Sequence, residues 1–380
     1  MRTRSLGLTL FAGLAIFVAA CSTPGTTTAP PASEPPMSEA PMSEAPMSEA
    51  PSEAPTGVTC DTPLKVGLVT DVGRVNDTGF NQSAYEGMLA AAEAAPTCFE
   101  TDYIETTSQS DYAKNIAEFS ENDYDVVIGV GFLLGDALGD AAKEFPDAKF
   151  ISVDGIPGAG HDESWATNGE SLFFAEDEAG YLAGVLAASI TESDHIGVVG
   201  GLLVVPPVER FVEGYINGAK ATNPEIDVDF VYTSSFVEPE QGKAAAEQMI
   251  DAGADIIFAA GGLTGNGALL AACAADKLAI GVDTDQYNTL PEAQPCLVSS
   301  ATKNIVEAVK NALLRIASDE FTAGAHTDNA ATNGIALADF HDNADKVPAD
   351  VQALLDETFA GLADGSIKTN VTVDGATPQE

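Results

Sequence analysis

Apolar segments of strand length alternate with amphipathic segments of helix length along most of the chain. A first series of strands is predicted near residues 65–70, 101–105, 125–130 and 149–153, with helices near 80–95, 111–120 and 134–144. A second series is predicted at 196–199, 228–231, 256–259 and 278–282, with helices near 208–221, 240–252 and 266–275. The strands are continuously apolar, as parallel strands are when helices cover both faces of their sheet.

The order of these elements predicts an α/β fold with two doubly wound parallel-sheet lobes, because right-handed crossovers place helices on both faces of each sheet. Segments that cross between the lobes are expected at 168–187, 296–309 and 333–338. The first lobe would comprise residues 60–172 plus about 299–325. The second lobe would comprise residues 173–298 plus about 330–380.

The first 20 residues have the layout of a lipoprotein signal peptide. Arg2 and Arg4 form a basic start, and the apolar run Leu6–Val18 is shorter than the about 20 residues that span a bilayer. Small residues then precede Cys21, as they do where a lipoprotein is cleaved and its cysteine acylated. An ordinary signal peptide followed by a chance cysteine is the alternative.

The segment from Cys21 to residue 59 is rich in proline, serine and glutamate. It contains three PMSEA repeats at 36–50, and residues 22–59 include no aromatic residue, lysine or arginine. Such a composition cannot build an apolar core. We expect a disordered tether that links the lipidated Cys21 to the folded part, although a repeat that binds a partner is an alternative.

Acidic residues far outnumber basic ones, with 58 Asp and Glu against 16 Lys and Arg and a formal net charge of −42. A chain of this charge repels nucleic acids and anionic lipid head groups, so neither is expected as a partner. The acidic surplus is also typical of proteins from saline or acidic habitats.

Four of the five cysteines remain after Cys21 is assigned to the lipid. Cys60 precedes the first strand and Cys98 follows the first helix, so both would lie at one edge of a βαβ unit and could form a disulfide. Cys273 and Cys296 are the other candidate pair, and disulfides are common in exported proteins. Four buried free thiols are the alternative. The cysteine spacings match no zinc site.

Carboxylates follow predicted strands in both lobes, where α/β proteins bind small molecules. Asp71 follows the first strand, Asp154 ends the fourth, and Asp283 follows the last strand of the second series. Carboxylates accept hydrogen bonds from hydroxyl groups, as a sugar diol would offer. Each aspartate alone could instead stabilise a turn.

Two aromatic residues and one lysine are candidates for the same site. Phe80 and Asn81 open a helix beside Asp71, and Phe236 lies in a loop after a strand of the second lobe. If the two rings face each other across a cleft, a base could stack between them, at about 1–3 kcal/mol per ring. Lys303 could donate to a ligand hydroxyl or balance an acidic residue. Core packing for Phe80 and a plain helix start for Lys303 are the alternatives.

A glycine-rich segment at 261–267 is expected to be a flexible turn that leads into a helix. Its backbone amides, including that of Gly262, could donate to a ligand oxygen. The segment is not a P-loop, because no Gly-Lys-Ser/Thr follows. The glycines Gly197, Gly200 and Gly201 do not form the dinucleotide fingerprint either, which disfavours a redox enzyme.

The segment from Leu64 to Met88 resembles the opening of the basic membrane protein family of lipoproteins. In that family the pattern is close to T-D-x-G-G-x-x-D-x-x-F-N-Q-x-x-x-x-G. The matching residues are Thr70, Asp71, Gly73, Asp77, Phe80, Asn81, Gln82 and Gly87. Arg74 stands where the family has its second glycine. The resemblance extends to about Ala317 and includes the Gly-Val-Asp-Thr-Asp-Gln-Tyr segment at 281–287.

The resemblance implies a substrate-binding lipoprotein of an ABC importer with the type I periplasmic-binding fold. It would be anchored by lipid to the cell membrane, outside the cytoplasm, and its partners would be a permease with its ATPase. The implied ligand is a purine nucleoside, with Phe80 and Phe236 around the base and Asn81 and Asp154 at the base edge. The residues implied for the ribose are Asp71, Gly262, Asp283 and Lys303. A monomer without cofactor, metal or catalytic residues is expected.

Two other functions fit parts of the sequence. The same fold could bind a sugar or another small polar ligand. A nucleoside hydrolase is the alternative from another class, because Asp71 with Asn76 and Asp77 could form an acidic metal cluster that activates water. The predicted export signal and tether suit capture of a solute better than its turnover.

Overall fold

The structure is a computed structural model that describes residues 57–155 and 167–372. The predicted signal peptide, Cys21 with its predicted acylation, and most of the predicted tether lie outside these ranges. Within them, no helix is both long enough and apolar enough to cross a membrane.

The first lobe is built around a six-stranded sheet. Its strands, in chain order, are β1 (Leu64–Val72), β2 (Phe99–Thr106), β3 (Val126–Val130), β4 (Lys149–Val153), β5 (Gly169–Phe174) and β11 (Gly324–Asp328). Its helices are α1 (Phe80–Ala94), α2 (Tyr112–Ser120), α3 (Gly135–Glu144) and α9 (Ile305–Ala317). The strands lie in the order β11-β5-β4-β3-β1-β2, and every pairing is parallel.

The second lobe is built around another six-stranded sheet. Its strands are β6 (His195–Gly200), β7 (Asp227–Tyr232), β8 (Ile256–Ala260), β9 (Leu278–Asp283), β10 (Leu297–Lys303) and β12 (Ile335–Leu337). Its helices are α4 (Glu176–Ile190), α5 (Pro206–Thr222), α6 (Pro239–Ala252), α7 (Gly262–Ala274), α8 (Gln286–Thr289) and α10 (Ala349–Ala363). The order is β12-β10-β9-β8-β6-β7, and β12 pairs antiparallel with β10.

The predicted α/β fold with two doubly wound lobes is confirmed. Residues of β3 and β8, which lie inside their sheets, are buried along their whole length, as their apolar sequences predict. The edge strands β2 and β7 depart from this pattern because one side of each has no neighbouring strand, and about half of their residues are exposed.

Within residues 57–155 and 167–372, the chain changes sheet three times, after β5, after β10 and after β11. β10 pairs with β9 as far as Thr302 and with β12 as far as Lys303, so it remains in the second sheet to its end. The change of sheet that we expected near residue 299 therefore comes at Asn304. This position matters, because it puts Lys303 at the junction of the two lobes.

Helix α7 begins at Gly262, four residues before the predicted start. The segment 261–267 is therefore not a flexible turn. Its glycines allow α7 to approach α6 closely, since a Cβ atom on Gly267 would lie 2.0 Å from the carbonyl oxygen of Pro239. A Cβ atom on Gly242 of α6 would lie 1.8 Å from the carbonyl oxygen of Thr264. Tertiary packing here overrides the low helix propensity of glycine.

Among the residues that the structure describes, four cysteines form two disulfides. The structure joins Cys60 to Cys98, with 4.9 Å between their Cα atoms, and Cys273 to Cys296, with 5.2 Å. The first bridge closes a loop of 38 residues, for which loop entropy gives roughly 3–4 kcal/mol of stabilisation.

The glycine contact between α6 and α7 yields a matched pair of substitutions. Gly242→Ala places a methyl group against the Thr264 carbonyl, so we expect the free energy of unfolding to fall by about 1–3 kcal/mol. Gly265→Ala, also in a helix, meets its nearest neighbour at an ordinary 3.5 Å and should be neutral or stabilising. Urea denaturation measures both. Equal destabilisation by the two substitutions would contradict the packing role of Gly242.

Candidate functional site

The carboxyl ends of strands from both sheets border one cleft. It encloses about 690 Å³ of space free of protein atoms, part of it open to solvent. All eight residues predicted to bind ligand line this cleft: Asp71, Phe80, Asn81, Asp154, Phe236, Gly262, Asp283 and Lys303. The position at strand ends is the one at which open α/β sheets bind small molecules.

Asp71 is held on the first-lobe wall by its own segment and by α2. Its Oδ1 accepts hydrogen bonds from the Tyr112 hydroxyl and from the backbone amide of Val72. The Asp71 amide in turn donates to Oδ1 of Asn81, at 3.1 Å. Burial raises the pKa of Asp71 to about 6, although the Tyr112 hydrogen bond opposes the shift. Tyr112 was not predicted as a site residue, because it lies 41 residues from Asp71 in the sequence and a tyrosine by itself indicates no such contact.

Asp77 caps helix α1. Its two carboxylate oxygens accept from the backbone amides of Gly79, Asn81 and Gln82, at 3.0, 3.0 and 3.1 Å. A carboxylate in this position satisfies amides that have no partner inside the helix. The cap fixes the first turn of α1, and with it the two cleft residues Phe80 and Asn81. Burial raises the pKa of Asp77.

Lys303 is the centre of a buried network of charges. Its Nζ lies 2.5 Å from Oδ2 of Asp154, 3.4 Å from Oε1 of Glu176 and 3.6 Å from Oδ1 of Asp283. The other oxygen of Glu176 accepts from Nη1 of Arg210, at 2.9 Å. Only 2% of the Lys303 side chain and none of the Glu176 side chain is exposed.

Glu176 and Arg210 were not predicted as site residues, yet both belong to this network. The sequence did carry a signal for each. Glu176 lies in the segment 168–187, which was expected to cross between the lobes, and Arg210 lies at 206–211 in Pro-Pro-Val-Glu-Arg-Phe, inside the range of the family resemblance. Both side chains are at least nine-tenths buried, and for charged side chains burial of that kind requires a partner.

The network holds three carboxylates against two cations. Burial raises the pKa of Asp154 to about 7 and that of Asp283 to about 6, although attraction to Lys303 opposes both shifts. Burial by itself lowers the pKa of Lys303, but Asp154, Glu176 and Asp283 together raise it above its ordinary value. Lys303 is therefore charged, and the raised pKa values of Asp154 and Asp283 allow a proton to balance the surplus carboxylate.

One carboxylate oxygen of the network has no partner. Oδ1 of Asp154 is buried and accepts no hydrogen bond from the residues that the structure describes. Buried acceptors are rarely left in this state. Because Asp154 lines the cleft, this oxygen is available to a donor group on a ligand.

The backbone at two of the strand ends adopts the left-handed conformation. Asp154 has φ +61° and Asp283 has φ +65°. Aspartate tolerates this region better than most residues with a Cβ atom, but the conformation still carries strain. The strand ends at each of these two residues, and the carboxylate there comes within reach of Nζ of Lys303.

Aromatic and aliphatic side chains form the rest of the cleft. The Phe80 ring, from the first lobe, lies 4.7 Å from Nζ of Lys303, measured to the ring centre. The Phe236 ring, from the second lobe, packs over Gly201, where a Cβ atom would lie 2.2 Å from its Cε1. Further apolar residues of the lining are Phe132, Val205, Pro207, Val208, Phe211, Val237 and Leu263.

The family profile described as ABC transporter substrate-binding protein PnrA-like matches residues 64–357, which is well over half of the chain. The chain belongs to this family. The resemblance to the basic membrane protein family is thereby confirmed. The match to the family profile ends at residue 357, forty residues beyond Ala317, where we expected the resemblance to end.

Named relatives and a solved structure agree with membership of the PnrA-like family. The CD4+ T-cell-stimulating antigen of Listeria monocytogenes is 32% identical over 320 residues, covering 80% of this chain and 87% of that protein. The ABC transporter nucleoside-binding protein BmpA of Lactococcus lactis is 37% identical over 235 residues, covering 59% and 65%. A solute-binding protein of an ABC transporter system from Aeropyrum pernix shares the fold, with a TM-score of 0.73, 24% identity and coverage of 84% and 94%.

As a PnrA-like protein, the chain is a substrate-binding protein of an ABC transporter. Proteins of this class bind a small solute and deliver it to a permease. The family and the relative from Lactococcus lactis are described as binding proteins and not as enzymes.

The raised pKa values predict how stability depends on pH. Asp71, Asp154 and Asp283 retain protons in the folded state above the unfolded value of 3.8, so the ligand-free protein should lose stability as the pH rises from about 4 to about 7. In Asp154→Asn, the side chain at 154 cannot ionise, but its amide oxygen can still accept from Lys303. Between about pH 4 and about pH 7, we expect the free energy of unfolding of this variant to fall by at least about 1 kcal/mol less than that of the wild type.

Urea denaturation at several pH values measures this difference. Asp227→Asn is the control, because Asp227 is an exposed carboxylate on the edge strand β7. The control should keep the wild-type dependence on pH. If wild type and Asp154→Asn lost the same stability over this pH range, the raised pKa assigned to Asp154 would be wrong.

Proposed function

We propose that this protein binds a purine nucleoside between its two lobes and delivers it to an ABC importer. The observation that carries the proposal is the composition of the cleft, in which a phenylalanine from each lobe accompanies a set of buried carboxylates. A nucleoside needs both features, since it joins a flat aromatic base to a ribose rich in hydroxyl groups.

In this proposal the base lies between Phe80 and Phe236. Stacking on each ring would contribute about 1–3 kcal/mol. Asn81 and Asp154 read the edge of the base, and the unpartnered Oδ1 of Asp154 accepts from a base N–H group.

Asp71, Gly262, Asp283 and Lys303 hold the ribose. The two carboxylates accept from hydroxyl groups, and Lys303 donates to a hydroxyl oxygen. Gly262 has φ +57°, and a Cβ atom there would lie 3.1 Å from the carbonyl oxygen of Phe236, so the absence of a side chain lets the backbone border the cleft. These contacts come from both lobes, so the ligand favours the closed arrangement.

We further propose that the protein is anchored outside the cytoplasm through an acylated Cys21, as a monomer without a cofactor. The Val-Ala-Ala-Cys sequence at 18–21 and the short apolar run before it support this assignment. A lipid anchor would keep the receptor close to the permease and its ATPase. Mass spectrometry of the membrane-extracted protein tests for the acyl chains.

A sugar or another small polar solute is the second candidate ligand, because the carboxylates at the strand ends would accept its hydroxyl groups equally well. A thermal-shift panel of purine and pyrimidine nucleosides, free bases and sugars, at low and high salt, separates the two candidates. A ligand at about 100 times its dissociation constant adds about 2.7 kcal/mol of stability. Release of ribose from a nucleoside during the assay would reveal a hydrolase.

The two phenylalanines provide the sharpest test of the base site. We expect Phe80→Ala and Phe236→Ala each to weaken inosine and guanosine binding at least about tenfold, because each loses one stacking surface. Isothermal titration calorimetry measures the affinities. Phe321→Ala, which removes a ring outside the cleft, should bind as the wild type does. Wild-type affinity in both cleft variants would rule out the stacked arrangement.

A further inference from the structure

A turn of the first lobe is held by two residues of the second lobe. The turn spans residues 75–79 directly before α1 and contains Thr78. Nδ2 of Asn266, on α7, donates to Oγ1 of Thr78 at 2.8 Å. Oγ1 of Thr289, at the end of α8, donates to the Thr78 carbonyl oxygen at 2.7 Å. Both hydrogen bonds join residues of different lobes, more than 180 positions apart in the chain.

The second-lobe side of this contact is rigidly positioned. Oδ1 of Asn266 accepts from Nε2 of Gln286 at 2.8 Å, which fixes the amide so that its Nδ2 faces Thr78. Gln286 is itself held, because its Oε1 accepts from the Val282 amide at 2.9 Å and its backbone amide donates to the Ser300 hydroxyl at 3.1 Å. Asn266 and Gln286 are 6% and 2% exposed. Their geometry is therefore set within the second lobe, independently of Thr78.

The first-lobe side is equally constrained. Thr78 has φ +63°, a conformation that residues with a branched Cβ seldom adopt. Its amide donates to Oε1 of Gln82 at 3.2 Å, and the neighbouring Asp77 caps α1. The turn thus presents the hydroxyl oxygen and the carbonyl oxygen of Thr78 to the second lobe in a fixed direction.

The contact lies beside the cleft but does not border it. Asp77 and Phe80, on either side of the turn, line the cleft, whereas Thr78, Asn266, Gln286 and Thr289 are not among the lining residues. Hydrogen bonds between the lobes that do not involve the ligand affect only the equilibrium between the open and closed arrangements.

We propose that Thr78, Asn266 and Thr289 form an interlobe clasp that stabilises the closed cleft and thereby sets the affinity for every ligand by a common factor. When the cleft opens, water replaces the partners of these groups, so each hydrogen bond contributes about 1 kcal/mol net, or about fivefold in the closing equilibrium. The apparent dissociation constant scales inversely with the fraction of closed protein. The three residues are positioning residues that act on the lobes and do not recognise the ligand.

Thr289→Val is the direct test, because it keeps the shape of the side chain and removes its donor. We expect inosine and guanosine affinities to fall by the same factor, up to about fivefold for one hydrogen bond, because the affinity falls in proportion to the fraction of closed protein. Calorimetry and stopped-flow fluorescence measure affinity and dissociation rate. Thr222→Val is the matched control, since the Thr222 hydroxyl donates to a carbonyl within α5 and should leave binding unchanged.

A ligand-free measurement separates the clasp from the identity of the ligand. Small-angle X-ray scattering of Thr78→Ala/Thr289→Val should give a larger radius of gyration than wild type, whereas Thr222→Val should match wild type. If wild type binds no nucleoside, the function proposed above fails, but scattering still tests the clasp. Two results would overturn the clasp: scattering and affinity identical to those of the control, or a changed ranking of ligands, which would mean that Thr289 contacts the ligand.

Discussion

The ammonium group of Lys303 is the interaction on which the arrangement of the cleft depends. It lies at the end of β10, where the chain leaves the second sheet, and it is bonded to Asp154 of the first lobe and Glu176 at the start of α4. Separating such charges from water costs several kcal/mol per ion, and this cost is recovered only when partners are close and well oriented. A neutral residue at 303 would leave a cluster of buried carboxylates without its central cation. The positions of the strand ends in both lobes are therefore tied to one side chain.

Aromatic rings surround the ammonium group of Lys303 on the sides that its carboxylate partners leave free. Rings of Phe80, Phe174 and Phe211 lie 4.7, 5.4 and 5.7 Å from its Nζ, measured to the ring centres. Aromatic faces attract a cation and at the same time exclude solvent, which strengthens the remaining electrostatic interactions. Nζ of Lys303 is thus covered by aromatic rings as well as by its carboxylate partners. A ligand that enters the cleft meets charges already fixed in place.

The sequence predicted the sheets well because apolar runs report burial directly, and it predicted the strand-end residues because strands of a parallel sheet end at one edge. It predicted neither Tyr112 nor the pair of Glu176 and Arg210, because their contacts depend on how distant segments meet. The start of α7 was wrong for a related reason. Glycine disfavours a helix when only the local sequence is considered. Because α6 packs so closely against α7, however, a residue without a side chain is favourable at Gly267, and no local pattern predicts that contact.

The disulfide between Cys60 and Cys98 has a mechanical consequence. Cys60 lies only four residues before β1, and β1 is paired on both sides, with β2 and β3. Tension applied to the chain ahead of Cys60 would otherwise act on the first residue of β1 and peel this strand out of its sheet. The covalent bond diverts that force into the end of α1 and the start of β2. The strand that carries Asp71 is in this way shielded from any pull at the amino-terminal end of the folded part.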